Sequence, residues 1–581
     1  MAKPLTYQPL PDYGVNGLNT QRNPSTLDAS WLTTANNVVV RESGRIAFRK
    51  GFKQKVAPNT ESGGTAIGSI VEHNDQGTNK IFASYGTSIY TIDFTTPNAA
   101  FPSSGADVKR TVANSSGNWQ FVNFNDRLHC FHAGVVPQRY DGSLGSGVKW
   151  IAHATDPASI ATLFDPSCGM GYYGRIWCGG VAEAKDVVYY SNLLDGDDWT
   201  GGDTGLIDLS KVWDNDEVVA LAAFYGKLII FGKENIVLYN SPETVGSLAV
   251  DEVIKGIGCV SRDSVQAIGD DLVFLSATGL RSLARTTEKD KLPLTDLSVN
   301  IKDTLIRNIG QSTNVKSVYV ENEGIYIMSF VDKNINYVFD FKHITPNEAP
   351  RVTTWTFDND REPASMAYTE LYSGLLVGQK DGSIAGYEGY FDADLAGAST
   401  YTNASFTSEI ASGWIPLGQS MAASLLKRMI LVLEGGSGAT LGLKWYKDFS
   451  FTSSATTHIA LQPATTGSTA LWGAATSLYG CSTTTDYGGV TYCTIGQHNT
   501  QAECTAGGGT WTTISNTGGV DQPPNCTSSP AYYTPIYGLQ EYTTPLTGSA
   551  KHLKLNIAIE SNGYDTMIQN LTLLHKEGKI R

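Results

Sequence analysis

The stretch FYGKLIIFGKENIVLY, residues 224–239, decides the fold of this chain. Its two apolar runs, 228–231 and 236–239, stand on either side of the polar segment GKEN. Short runs rich in β-branched and aromatic residues around a polar turn are typical of a β-hairpin. Because both runs are apolar at nearly every position, we expect other parts of the protein to cover both faces of this hairpin.

The same layout of a turn, an apolar strand, a polar break and a second strand recurs along the chain. The units begin their first apolar strands 44 to 53 residues apart, at Ile81, Leu128, Ile176, Leu228, Leu272, Ile325 and Leu375. A period of about 50 residues with two central strands per unit is typical of four-stranded β-propeller blades, which close into a ring to cover both faces of their inner strands. The sequence therefore predicts an all-β fold with a propeller of six or seven blades over 61–394. The alternative is a β-sandwich of unrelated hairpins.

The segments that flank the repeats are predicted to form two further units. Residues 1–60 are predicted to be an N-terminal arm that includes the first strands. In the C-terminal unit, 395–581, the runs SLLKRMILVLEG and ATLGLKWYKDF are predicted to be paired strands. A later run alternates with a period of two, typical of a strand with one buried face, at Leu553, Leu555, Ile557 and Ile559. We expect a C-terminal β-sandwich with a loop-rich inserted tip, rich in Thr, Gly and Cys, at about 460–545.

The composition limits the class of protein. The chain has 581 residues, a net charge of −14 and 41% apolar residues. It has no run of about 18 apolar residues, so no membrane-spanning helix is predicted. Its start lacks the apolar core of a signal peptide, so we expect synthesis in the cytoplasm. An acidic chain is poorly suited to gripping phosphates, which argues against a nucleic-acid clamp, although the charge is equally typical of ordinary acidic solubility.

The eight cysteines fall into two groups. Four lie in or beside predicted strands and are interpreted as small buried apolar residues: Cys130, Cys168, Cys178 and Cys259. The other four lie in the inserted segment: Cys481, Cys493, Cys504 and Cys526. They form no C-x-x-C pair, which argues against a zinc site. Two disulfides, which require an oxidising environment, and free thiols remain as alternatives for these four.

No motif predicts a catalytic, cofactor-binding or metal-binding residue. A literal G-x-G-x-x-G occurs at 169–174, but a strand rather than a helix is predicted to follow it, which argues against a dinucleotide site. His129 and His132 would point to opposite faces of one strand and could not hold a metal together. The acidic segment DGDDWTGGD, 195–203, lacks the ligand spacing of an EF-hand and matches the Asp-box of sialidases poorly. We interpret it as a tight turn with Trp199 packed on a neighbouring strand, and we predict no enzyme activity.

The N-terminal stretch GLNTQRNPSTLDASWLTTANNVVVRESGRIAFRKGF, residues 17–52, is the most distinctive part of the sequence. It resembles the N-terminal signature of the tail nozzle, or tail hub, proteins of short-tailed bacteriophages, in which such a stretch precedes a β-propeller. The residues that fit the signature are Gly17, Leu18, Asn19, Thr20, Pro24, Asn37, Val39, Gly44, Arg49, Gly51 and Phe52. The resemblance covers 10–285; the C-terminal third carries none, and the cysteine-containing insertion departs from the pattern.

This resemblance implies a structural virion protein in the viral tail. It implies a homohexameric ring that forms the distal DNA channel and gate, retains the genome and allows its ejection into the host. The partners it implies are the adaptor ring above, which we expect the N-terminal arm to contact, tail fibres or spikes, and the host surface at the distal tip. Viral double-stranded DNA would pass between subunits without sequence-specific binding, and acidic residues lining the bore would repel its phosphates. No cofactor is implied.

Two other functions remain as alternatives. One is a propeller glycosidase or depolymerase acting on host surface polysaccharide, which would need carboxylates that converge at the mouth of the propeller axis. The other is a glycan-binding or protein-binding propeller that acts as a monomer. The sequence does not show which acidic residues converge, so these alternatives are distinguished by the structure of the axis and by the mass of the protein in solution.

Overall fold

The computed structural model describes residues 5–41, 44–58, 65–92, 108–283, 296–312, 314–358, 361–395, 401–418, 422–435, 440–453, 455–460, 482–483, 489–493, 511–515, 540–561 and 565–578. Within these ranges the chain is predominantly β-structure. A short helix, α1 (Lys302–Ile309), accompanies it, with 3-10 turns at Leu209–Lys211, Val245–Ser247, Arg262–Ser264 and Val331–Lys333. None of the helices described is long and apolar enough to cross a membrane.

The N-terminal segment contributes short strands before the repeats begin. They are β1 (Thr6–Pro9), β2 (Leu32–Asn36), β3 (Val38–Val40), β4 (Ile46–Phe48) and β5 (Phe52–Val56).

Antiparallel sheets then follow one another along the chain as the blades of a β-propeller. Blade 1 contains β6 (Ile67–Asp75), β7 (Thr78–Tyr85), β8 (Ser88–Ile92) and β9 (Lys109–Thr111). Blade 2 contains β10 (Gln120–Phe124), β11 (Arg127–Phe131), β12 (Gln138–Asp141) and β13 (Trp150–Ala152). Blade 3 contains β14 (Cys168–Tyr172), β15 (Arg175–Val181), β16 (Ala184–Tyr190) and β17 (Gly205–Asp208). Blade 4 contains β18 (Val218–Phe224), β19 (Lys227–Gly232), β20 (Asn235–Asn240) and β21 (Ala249–Lys255). Blade 5 contains β22 (Gln266–Ile268), β23 (Asp271–Ser276) and β24 (Gly279–Ser282). Blade 6 contains β25 (Val315–Val320), β26 (Ile325–Phe330), β27 (Ile335–Ile344) and β28 (Pro350–Trp355). These six blades are built from consecutive strands, and a seventh sheet, β29 (Pro363–Thr369), β30 (Gly374–Gln379) and β31 (Ile384–Tyr387), is completed by β5.

The second strand of each blade is the doubly covered strand that the sequence predicts. All seven predicted positions, from Ile81 to Leu375, lie on second strands and are buried. In blade 4, Leu228 and Ile230 pack toward blade 3, whereas Ile229 and Phe231 pack toward blade 5. Because successive side chains of a strand point to opposite faces, a strand between two blades is apolar at every position. The prediction of a propeller with six or seven blades is confirmed.

The ring closes through the N-terminal segment. The strand β5 pairs antiparallel with β31 at the outer edge of the seventh blade, and β29 lies beside β6 of blade 1. Ser365 on β29 donates a hydrogen bond of 2.7 Å to the backbone oxygen of Ile67 on β6. The sequence predicts an N-terminal arm over residues 1–60. In the structure these residues do not form a separate arm, because their strands complete sheets that the rest of the chain leaves open.

Two sheets on the C-terminal side enclose a second core. One contains β3, β4, β36 (Ser424–Gly435), β42 (Gln540–Pro545) and β45 (Thr566–Lys576), with β1 and β43 (Ser549–Ala550) at its side. The other contains β2, β34 (Thr407–Ser412), β37 (Thr440–Lys447), β38 (Ala455–Ala460) and β44 (His552–Glu560), with β35 (Ile415–Pro416). This second sheet continues from β28 of blade 6 through β2, while β32 (Asp392–Leu395) and β33 (Tyr401–Ala404) extend the seventh blade beyond β5.

The strands predicted in this C-terminal sandwich are present, but their predicted pairing is wrong. The strand β36 pairs with β45 and β42, whereas β37 pairs with β44 and β38, so the two lie in opposite sheets. The alternating burial of β44 shows the predicted period of two. A period of two identifies the buried face of a strand but not its neighbour, which is why sequence adjacency was misleading. Within the insertion, the structure describes the backbone of a small sheet of β39 (Ser482–Thr483), β40 (Gly489–Cys493) and β41 (Trp511–Ser515).

Candidate functional sites

The four cysteines of the propeller are buried free thiols, as predicted: Cys130, Cys168, Cys178 and Cys259. Burial raises the pKa of Cys168 to about 12 and that of Cys259 to about 11, so neither supplies a thiolate at neutral pH. The candidate disulfide cysteines, Cys481, Cys493, Cys504 and Cys526, lie outside the residues whose side chains the structure describes. The prediction for them stays open.

Two histidines and an aspartate meet between blades 2 and 3. His129 lies on β11, His153 follows β13, and Asp197 lies in the loop between β16 and β17. Nδ1 of His129 is 3.2 Å from Nε2 of His153, and that Nε2 is 3.3 Å from Oδ1 of Asp197. The distance from Nδ1 of His129 to the same Oδ1 is 3.9 Å. These distances are similar to those between the ligand atoms of a tetrahedral zinc site, which are about 3.3 Å apart.

The protonation of this group argues against a bound cation. Trp199 donates a hydrogen bond of 3.1 Å from Nε1 to Nδ1 of His153, so the proton of the neutral imidazole is on Nε2, which donates to Nδ1 of His129. Nη1 of Arg127 lies 3.2 Å from Oδ2 of Asp197, and Arg139 contacts the same oxygen. A cation would have to displace the Nε2 proton and approach two guanidinium groups. The donor set therefore suits a hydrogen-bonded contact between blades better than a metal site.

Both histidines of this contact are held in the neutral form. Burial, together with the charge of Arg139, lowers the pKa of His153 to about 3. Burial and the neighbouring His153 lower the pKa of His129 well below its ordinary value. His132, three residues after His129, is not part of this contact and instead hydrogen-bonds through Nε2 to Oγ of Ser116 at 2.7 Å. Its three-residue spacing from His129 gave no indication of the true partners, which come from two other loops.

The two glycine-rich motifs have structural roles. The G-x-G-x-x-G segment forms the β14–β15 hairpin, and Gly174 occupies its turn with φ +69°. In the segment DGDDWTGGD, Oδ1 of Asp198 accepts backbone hydrogen bonds from Thr200 at 3.0 Å and Gly201 at 2.8 Å. Trp199 is buried with its ring centroid 5.0 Å from that of Phe164. The predicted tight turn with a packed tryptophan is confirmed.

Side chains reach across the propeller axis at the end where the innermost strand of each blade begins. Arg262, which precedes β22 of blade 5, donates to the backbone oxygen of Ser167 in front of blade 3. It also donates to the backbone oxygen of Asn118 in front of blade 2, at 2.8 Å, and to its Oδ1, at 3.0 Å. Lys316 on β25 of blade 6 donates to the same Oδ1 at 2.5 Å and to Asp263 at 2.7 Å. Four blades are thus joined across the ring.

In this axial contact, the carboxylate of Asp263 forms ion pairs with both Arg262 and Lys316. Although burial opposes the charge of Asp263, the adjacent Arg262 and Lys316 hold its pKa below the ordinary value. A carboxylate held ionised between two cations is poorly suited to general acid catalysis, which requires a raised pKa. This contact could not be predicted from the sequence, because its residues belong to no motif and are distant along the chain.

Residues of the N-terminal signature form a junction between the propeller and the C-terminal sandwich. Arg49 is completely buried and makes two hydrogen bonds of 3.0 Å to the carboxylate of Asp392, which follows the seventh blade. Nε of Arg49 donates to Oδ1 of Asn37 at 3.0 Å, and its guanidinium lies 3.9 Å from the ring centroid of Phe406, next to β34. Asp392 also accepts the backbone N–H of Phe52 at 2.9 Å. A cavity of about 260 Å³ lies beside this junction.

The signature glycines permit close backbone contacts at the same junction. Gly17 has φ +74° and lies against the backbone of Val352, whose oxygen would be 2.7 Å from an added Cβ. An added Cβ on Gly51 would be 1.8 Å from the backbone oxygen of Phe391. Because no side chain fits these positions, the segment passes between the two units only with glycine there.

Comparison with protein-family models and with curated proteins finds no match. Among solved structures, the chain is similar to the Neurospora crassa Pan2 WD40 domain, with 7% identity and a TM-score of 0.37, over 58% of this chain and 96% of that one. It is also similar to the extracellular domain of BT4673 from B. thetaiotaomicron, with 11% identity and a TM-score of 0.30, over 72% of this chain and 42% of that one. These likenesses are distant and concern the fold alone; the strand order described above is that of an all-β propeller with an added sandwich.

Proposed function

We propose that this chain is a structural subunit of the tail nozzle of a short-tailed bacteriophage. In this proposal a homohexamer forms the distal DNA channel and gate of the virion tail, retains the genome and allows its ejection. The observation that carries the proposal is the N-terminal signature, whose buried members Asn37, Arg49 and Phe52 share one hydrogen-bonded junction around Asp392. A motif whose residues depend on one another in this way is a specific structural device, which supports the resemblance on which the proposal rests.

The axis and the charge of the chain are consistent with this role. Because Arg262 crosses the axis of the propeller, a conduit has to lie between subunits rather than through a single subunit. With a net charge of −14 per chain, a ring of six subunits repels phosphates wherever its acidic residues line the bore. Repulsion between the bore and the DNA phosphates reduces sticking and favours rapid passage of the genome.

A glycosidase or depolymerase is the alternative function. It would need carboxylates that converge at an open axial mouth, one of them with a raised pKa. At the end that Arg262 crosses, Asp263 is instead held ionised by two cations. This observation favours the structural role over the enzyme.

The proposal is tested by the mass and shape of the purified full-length protein. We expect rings with six-fold symmetry in electron micrographs and a mass of about 375 kDa, which is 6 × 62.5 kDa, by light scattering. The same preparation is incubated with host surface polysaccharide, and we expect no release of reducing ends. A single chain of 62.5 kDa at micromolar concentration, or cleavage of the polysaccharide, would overturn the proposal.

A further inference from the structure

One face of the propeller carries an exposed apolar strip. This face, called here the turn face, holds the turns between the first and second strands of the blades. Four large apolar side chains on blades 3 and 4 are between 46% and 69% exposed: Tyr173, Leu193, Leu194 and Tyr225. We call these four residues the tyrosine–leucine strip. Apolar side chains that are exposed together, rather than singly, are typical of interaction sites.

Hydrogen bonds attach the strip to blade 2 on one side and to blade 5 on the other. Asn125 in the turn of blade 2 donates a hydrogen bond of 2.9 Å to the backbone oxygen of Leu194. The backbone N–H of Leu194 donates at 2.7 Å to the oxygen of Gly174, next to Tyr173. On the far side, Tyr225 donates from its hydroxyl to the backbone oxygen of Asp270 in blade 5, at 3.2 Å. Hydrogen bonds across two blade boundaries, between blades 2 and 3 and between blades 4 and 5, thus hold the strip.

Three residues of the strip have a backbone conformation that bulky side chains rarely adopt. Their φ angles are positive: 45° at Tyr173, 59° at Leu194 and 45° at Tyr225. Two-residue turns with positive φ favour asparagine, aspartate or glycine, and blade 2 uses Asn125 and Asp126 in the corresponding turn. A bulky residue there costs stability, and strain of this kind is characteristic of functional surfaces. The exposed tyrosines are therefore not explained by the stability of their turns.

The charged residues in the described turns between first and second strands are all acidic. The seven described turns of this face contain no lysine or arginine. Exposed carboxylates occupy the turns of four other blades: Asp126, Asp270, Glu321 and Glu370. Lys227, which follows the turn of Tyr225, is 2.5 Å from the carboxylate of Asp251. Arg175, which follows the turn of Tyr173, is buried and donates to the backbone oxygens of Ser191 and Asp203. The strip therefore lies between acidic residues at both ends, Asp126 on blade 2 and Asp270 on blade 5.

We propose that the tyrosine–leucine strip is a docking surface for a segment of another protein that presents an apolar side chain between lysine or arginine residues. The apolar side chain is buried against Tyr173 and Tyr225, a residue type that frequently dominates binding energy. The flanking cations face Asp126 and Asp270, and this complementarity speeds association and selects against acidic partners. The inference goes beyond the nozzle proposal and does not depend on it.

The test uses the full-length protein and a library of random dodecapeptides displayed on a carrier. Peptides are selected on the wild type and counter-selected on the double variant Tyr173→Asn/Tyr225→Asn. Asparagine suits both turns, so we expect the variant to melt at or above the wild-type temperature. The most enriched peptide is then synthesised with a fluorophore and titrated by anisotropy. Phe451→Ser, at a fully exposed phenylalanine beyond the propeller, is the matched control.

We expect enriched peptides with an apolar residue flanked by lysine or arginine. Binding of the labelled peptide is expected to weaken at least tenfold in the double variant, to be unchanged in the control and to weaken several-fold between 50 and 300 mM NaCl. Equal binding to the double variant, enrichment of acidic or uncharged peptides, or no enrichment overturns the proposal. A loss of self-association in the double variant also overturns it, because the strip would then be covered by a second copy of this chain.

Discussion

The contact between His129 and His153 makes the propeller sensitive to acid, and the pKa of His153 gives the size of the effect. The imidazole titrates near 6.5 in an unfolded chain and at about 3 in the folded protein. Between these values the unfolded chain binds a proton that the folded chain does not, so the free energy of unfolding decreases as the pH falls. Each pH unit corresponds to about 1.4 kcal/mol, and His153 alone therefore lowers the free energy of unfolding by about 2 kcal/mol between pH 6.5 and 4.5.

The variant His153→Gln isolates this contribution. Urea denaturation is measured at pH 6.5, 5.5 and 4.5, with tryptophan fluorescence as the signal, because Trp199 hydrogen-bonds to His153. We expect the variant to be less stable than the wild type at pH 6.5, since it loses a buried hydrogen bond. Between pH 6.5 and 4.5, however, the free energy of unfolding of the variant is expected to fall by about 2 kcal/mol less than that of the wild type. His552→Gln, in the C-terminal sandwich, serves as the control for the removal of one histidine away from this contact.

Equal pH dependence in the wild type and His153→Gln would refute this reasoning, because it would mean that His153 is already protonated in the folded protein. A second result would refute the assignment of the group as a contact between blades. If zinc at neutral pH stabilised the wild type but not the variant, then His129, His153 and Asp197 would form a metal site despite the proton on Nε2.

Three further substitutions test the fold. Arg49→Met leaves the buried carboxylate of Asp392 without its cationic partner, and we expect a loss of about 3 to 5 kcal/mol in chemical denaturation, with Lys211→Met, at an exposed lysine, as the control. Leu228→Ala removes a fully buried side chain between blades 3 and 4 and is expected to cost about 2 to 5 kcal/mol, whereas Leu371→Ala, at an exposed turn, is expected to leave the melting temperature unchanged. Gly51→Ala places a Cβ 1.8 Å from the backbone oxygen of Phe391 and is expected to cost about 1 to 3 kcal/mol or more, or to yield insoluble protein, which solubility and melting curves measure.

The blades could be predicted because their signal is local. Each second strand lies between two blades, so Leu228 to Phe231 are all buried and the run is continuously apolar. The regular spacing of such runs identifies a ring even though no single hairpin does. The buried cysteines and the turn at Trp199 were predictable for the same reason, since their roles depend on neighbours within or beside one strand.

The contacts that join distant segments could not be predicted. Arg262 reaches Asn118 and Ser167 across the axis, and His129 meets His153 and Asp197 from other loops. None of these residues belongs to a pattern with a fixed spacing, because the geometry that unites them exists only after the ring has closed. The pairing of β36 with β37 was wrongly predicted for the same reason, because their true partners, β45 and β44, are distant in sequence.

The N-terminal segment explains why the propeller and the sandwich behave as one structure. The strand β5 closes the ring against β31, while β4 pairs with β45 near the end of the chain. Between these strands, Arg49 is fixed by Asp392 and Phe406. Neither unit is complete until residues from the two ends of the chain have met, and pairings so distant in sequence form slowly. A segment that closes two cores is not free to serve as a flexible arm. In the proposed nozzle, its contact with a neighbouring ring would therefore use side chains on the surface of the sheets that this segment completes.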